Sequence, residues 1–83
     1  MADSQKLILY SRHACHLCEV MQAELQTRVD AGEIELELRD VDAQADWRRD
    51  YGVRVPLLMS GKAEILSEYH LDETRLDAWL EKS

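Results

Sequence analysis

Eighty-three residues, 46% hydrophobic and 33% charged, suit one small soluble domain (1–83) and leave too little chain for a large core. No apolar run approaches the ~20 residues of a membrane-spanning helix. A net charge of −7, with Arg48-Arg49 flanked by Asp46 and Asp50 as the one basic cluster, excludes a continuous positive surface for nucleic acid. Residues 1–6 lack the layout of an export signal, so a cytoplasmic setting that keeps thiols reduced is expected.

Taken in chain order, residues 6–10 form a short continuous apolar run, which predicts a central buried strand. Ser11-Arg12-His13-Ala14 reads as a loop. From Cys15 to about Val29 the period is helical, with Leu17, Val20 or Met21, Leu25 and Val29 on one stripe. Ala31-Gly32 ends that helix, Gly32 being suited to a left-handed cap. Residues 33–38 alternate strictly, setting Ile34, Leu36 and Leu38 against three glutamates, the pattern of a half-solvated strand protected as a sheet edge. Asp42 is the expected N-cap of a short helix over 43–51 closed by Gly52, with Ala43, Trp47 and Tyr51 on one side. Residues 53–59 read as a loop, a proline and a strand. Ser60-Gly61-Lys62 is a turn, and residues 64–67 return as a strand. Asp72 caps the last helix, with Leu71 and Leu76 as a hydrophobic staple and Leu76, Trp79 and Leu80 as its apolar stripe.

The order β-α-β-α-β-β-α combines a parallel βαβ unit with a hairpin, and one mixed four-stranded sheet flanked by three helices accounts for every segment. The chemistry concentrates in Cys15-His16-Leu17-Cys18, which holds both cysteines of the chain. Two thiols one helical turn apart, placed after a strand and at the head of a helix, can close a reversible disulfide. The partial positive charge at the helix N-terminus favours a thiolate there, so Cys15 is the candidate nucleophile and Cys18 the resolving thiol. Arg12 and His16 are the candidate groups that add positive charge beside Cys15; His16 reads equally as a solvent-facing helix residue. A purely structural bridge is the plainer alternative, but a loop of two intervening residues constrains the unfolded chain little.

This element order, with Tyr10-Ser11-Arg12-His13-Ala14-Cys15-His16-Leu17-Cys18 opening the first helix and Val55-Pro56 opening the third strand, resembles the thioredoxin fold in its compact glutaredoxin form. The likeness covers the whole chain. Tyr51-Gly52-Val53-Arg54-Val55-Pro56 is similar to the pattern of small, largely uncharacterised bacterial glutaredoxin-like proteins. The sequence departs from the usual glutaredoxin in three places. Its spacer is His-Leu rather than Pro-Tyr, Arg54 stands where threonine is common, and Leu66-Ser67-Glu68 occupies the region of a Gly-Gly pair that helps seat glutathione.

The resemblance implies a thiol–disulfide oxidoreductase with no bound cofactor, glutathione being one candidate reductant. It implies a cis bond before Pro56 and backbone pairing of Val55 with an extended substrate. An ordinary trans proline at a strand edge is the alternative. A disulfide-bearing protein or small thiol is the implied partner, with no nucleic acid or membrane partner, and a monomer is expected. Two other classes remain open: a non-catalytic redox sensor, and a metal or iron–sulfur module using His13, Cys15, His16 and Cys18. The metal class is disfavoured because four ligands within six residues lack the separated pairs of zinc modules. Trp47 and Trp79 read as core, and Tyr69 as either a flank of the site or surface packing.

Overall fold

The computed structural model describes residues 5–82. Its four strands lie in the order β2-β1-β3-β4. β1 (Gln5–Ser11) is central and pairs parallel with β2 (Ile34–Asp40) and antiparallel with β3 (Leu57–Ser60). β4 (Ile65–Glu68) pairs antiparallel with β3, with a register irregularity at Leu58/Met59. The helices are α1 (His16–Asp30), α2 (Ala45–Tyr51) and α3 (Glu73–Lys82).

Period-two alternation divides the side chains of the central strands between two faces. Leu7 and Leu9 of β1, Leu58 of β3 and Leu66 of β4 form one cluster with Met21 and Leu25 of α1 and Leu76 of α3. Tyr10, Leu57 and Met59 face the other way, where Ile8, Trp47, Tyr51, Val55 and Ile65 pack on them. The Tyr10 ring meets Trp47 edge-on at 5.6 Å and Tyr51 at a tilt at 4.6 Å. Arg39 lies over both Tyr10 and Trp47, 5.7 and 5.1 Å from the ring centres, and donates to the Tyr10 hydroxyl at 3.0 Å.

Several local expectations stand. Gly32 has φ +77°, and β2 is an edge strand. The Asp72 carboxylate accepts the Arg75 N–H at 2.9 Å, as an N-cap does, and Leu71 packs against the cluster that contains Leu76.

Three do not. The segment after β2 is split into a 3₁₀ turn, Val41–Ala43, and α2, with Gln44 extended between them. Asp40 caps the 3₁₀ turn by accepting the Asp42 N–H, while the Asp42 side chain is taken by Arg12, so Asp42 caps no helix. The stripe on α1 takes the second of its two alternatives, with Met21 buried and Val20 exposed. Leu38 is 48% exposed and outside the core cluster, although it shares a face with buried Ile34.

Candidate active site

The dithiol sits where the chain leaves the central strand. Ser11 ends β1, residues 12–14 turn, and α1 begins at His16 with Cys15 as its N-cap. Ala14 takes a left-handed conformation, φ 58°, immediately before Cys15. Such a conformation is uncommon for a residue with a Cβ and concentrates at functional turns. Cys15 and Cys18 are joined as a disulfide, with their Cα atoms 5.2 Å apart. The Cys18 N–H donates to Cys15 Sγ at 3.2 Å, so the first turn of the helix aims a backbone donor at that sulfur. Cys15 is half-buried, whereas Cys18 is only 3% exposed. The order of access is therefore built in: a reagent from solvent meets Cys15 before Cys18.

Strand register brings the proline loop to the same end of the sheet. Tyr10 pairs with Leu57, so Pro56 falls beside Ser11, the last residue before the dithiol turn. The Val55–Pro56 peptide bond is cis. The Pro56 carbonyl accepts the Tyr69 N–H at 2.8 Å, and the Tyr69 hydroxyl donates to the Val53 carbonyl at 2.8 Å. Tyr69 thus braces the loop on both sides of Val55, a function that its sequence position alone did not reveal. Val55 packs its side chain against the Tyr10 cluster, and among the described residues its backbone N–H and C=O make no hydrogen bond.

Arg12 does not behave as a free charge beside the thiols. Its Nε and Nη2 donate to the two oxygens of Asp42 at 2.9 and 3.1 Å, and its Nη1 donates to the Gly52 carbonyl at 2.9 Å. The bond to Asp42 raises the Arg12 pKa, and the same bond holds the Asp42 carboxyl below the usual aspartate range. Arg12 therefore ties the dithiol turn to the 3₁₀ turn and to the loop that leads to Pro56. Gly52 permits that approach: a Cβ there would stand 2.5 Å from the Arg48 carbonyl oxygen and 3.2 Å from Arg12 Nη2. His13 and His16 are exposed, and Glu19 places a negative charge in the first turn of α1. Among the described residues no group of three or more His, Cys, Asp or Glu is arranged to hold a metal ion, and no helix is long and apolar enough to cross a membrane.

A central strand running into a paired Cys-x-x-Cys at a helix N-terminus, on a β2-β1-β3-β4 sheet with a proline before β3, defines a thioredoxin-like α/β protein. Residues 6–81 match the family described as Glutaredoxin-like domain (DUF836), and the chain belongs to that family. A solution NMR structure, protein Ne2328 from Nitrosomonas europaea, is 34% identical and superposes with a TM-score of 0.82, over 95% of this chain and 94% of that one. The X-ray structure of protein XcR50 from X. campestris is 32% identical, with a TM-score of 0.69, over 93% and 97% of the two chains. No curated protein matches the chain. Family and paired cysteines together make this a redox-type module.

Proposed function

We propose that the protein is a thiol–disulfide oxidoreductase that reduces a substrate disulfide with the Cys15/Cys18 dithiol. The observation that carries this reading is the asymmetry of the pair, a half-buried cysteine at the helix cap and a buried one a turn further on. In the reduced protein the helix N-terminus and the Cys18 N–H favour a thiolate at Cys15. That thiolate attacks one sulfur of the substrate, forming a mixed disulfide and releasing the first substrate thiolate. The Cys18 thiolate then attacks Cys15 Sγ, the second substrate thiolate leaves, and the Cys15–Cys18 bridge remains. Two electrons pass to the substrate, and the departing thiolates take protons from water. An external thiol, glutathione among the candidates, regenerates the dithiol in a reducing compartment such as the cytoplasm.

The Val55 backbone supplies a donor and an acceptor for an extended substrate segment, and Pro56 sets the end of that edge. Arg12 acts as a positioning residue, holding the dithiol turn to the proline loop. The protein needs no bound cofactor for these steps and works as a monomer.

The test uses prereduced protein freed of reductant and mixed with bis(2-hydroxyethyl) disulfide. Wild type consumes the disulfide and gains an internal bridge. Cys15→Ser abolishes the reaction, and Cys18→Ser accumulates a mixed disulfide visible as a mass increase. Retention of activity in Cys15→Ser, or failure of wild type to form the bridge, overturns the reading.

A further inference from the structure

The chain leaves β4 through a strained turn, and what that turn holds is the proline loop. The His70 N–H donates to the Glu68 carbonyl at 2.7 Å, closing a three-residue γ-turn whose apex, Tyr69, has φ +67°. That hand of the turn is rare and strained, and glycine is the residue that adopts such a φ without penalty. Here a long side chain with a polar tip stands at the apex instead. The turn presents the Tyr69 N–H to the Pro56 carbonyl and the phenol hydroxyl to the Val53 carbonyl, each at 2.8 Å. One residue thus bonds to the chain on both sides of Val55.

Further ties single out Val55. The Arg54 N–H donates to the Tyr51 carbonyl at 2.9 Å, and Arg54 Nε donates to Glu68 Oε2 at 2.6 Å. Residues 53, 54 and 56 are each fixed by a hydrogen bond, while among the described residues the Val55 backbone keeps an unused donor and acceptor. The surface alongside is apolar as well: Tyr69 is 43% exposed and Val53 is 87% exposed. A fixed, open amide edge beside exposed apolar side chains suits an extended peptide, which brings both backbone groups and side chains to it. A small disulfide without amides leaves the Val55 groups unpaired.

We infer that Tyr69 is a positioning residue that makes this edge selective for disulfides carried on an extended peptide. The inference rests on the dithiol reading above, and it names the substrate class for that chemistry. The exchange itself is unchanged: Cys15 and Cys18 lose two electrons and become the bridge, and the peptide disulfide gains them and leaves as two thiols. Dithiothreitol, removed before mixing, is the reductant that loads the dithiol.

The experiment oxidises prereduced protein with two uncharged compounds: bis(2-hydroxyethyl) disulfide, and the mixed disulfide of 2-mercaptoethanol with N-acetyl-alanyl-cysteinyl-alanine amide. Each rate is divided by that of dithiothreitol with the same compound, which removes differences in intrinsic reactivity. Wild type is expected to favour the peptide about tenfold, the effect of two added backbone hydrogen bonds. Tyr69→Phe keeps the ring and deletes the bond to Val53. It is expected to raise the half-saturating peptide concentration about fivefold, to lower the limiting rate by at most about twofold, and to shift the Val55 amide resonance. Tyr69→Gly relieves the left-handed backbone while removing ring and hydroxyl, and is expected to bring the ratio of the two substrates close to one. Equal normalised rates in wild type, or a Tyr69→Gly protein that keeps the peptide preference, overturns the inference while leaving the dithiol chemistry standing. So does a Tyr69→Phe loss that falls on the limiting rate and equally on both disulfides, the mark of a merely structural side chain. Failure of wild type with both disulfides brings down the dithiol reading itself.

Discussion

At the residue scale, Asp42 and Arg12 form a pair whose effect on pH dependence has a definite sign. Arg12 holds the Asp42 carboxyl below its usual range, so between that depressed value and the ordinary value of about 3.9 the unfolded chain binds more protons than the folded one. The contribution to stability is complete above the unfolded value and is lost as pH falls through the folded one. A carboxyl-detected NMR titration should therefore place Asp42 below about 3.9 in wild type and return it towards that value in Arg12→Met. An unchanged midpoint in the variant would show that the pair exerts no hold on the proton. Arg39 makes a comparable contact beside Tyr10, where its bond to Glu37 keeps that carboxyl low and its guanidinium covers Tyr10 and Trp47. Neither arginine partner was legible in the sequence, because Arg12 lies thirty positions from Asp42 and Arg39 twenty-nine from Tyr10.

At the element scale, strands and helices with strong internal periodicity were readable, and so were the caps that serve them. The glutamate alternation marked β2, the 3.6-residue stripe marked α1, and Asp72 marked the start of α3. Asp72→Ala removes the acceptor of the Arg75 N–H and should cost about 1 kcal/mol in a denaturant titration, with the slope unchanged. A loss of a few tenths would mean that packing of Leu76 alone sets that helix. The segment after β2 was misread for a physical reason. Asp40 and Asp42 are both good caps by residue type, and only the distant Arg12 decides which carboxylate remains free to serve the local backbone. The dithiol was legible because its chemistry is local in sequence, two residues apart at a helix start. The brace that Tyr69 applies to the proline loop was not, since it spans sixteen positions to Val53.

At the scale of the molecule, the two faces of the sheet carry unequal shares of the core. The larger cluster lies under α1 and α3, and Leu9 is fully buried in it at the middle of the central strand. Leu9→Ala should cost about 3 kcal/mol, measured by chemical denaturation, because the surrounding leucines are fixed by strands on both sides and cannot close the cavity. A loss below about 1 kcal/mol would show that the core can collapse around the gap. The ends of α1 and α3 are joined by Arg28, which meets Glu33 at 3.0 Å, Glu73 at 3.2 Å and Asp77 at 2.7 Å. β1 lies between two strands that both follow it in the chain, so no fragment ending before residue 57 can flank it on each side. Its parallel bonds to β2 close a loop through α1, and its bonds to β3 close a longer one around the whole first half. Ordering of the sheet therefore waits on distant pairings, which slows the search for the native arrangement relative to a helical bundle of this size. Until residues 57–60 dock, one side of β1 exposes unsatisfied amides beside Leu9, and a nascent or partly unfolded chain is most prone to stick to a neighbour there.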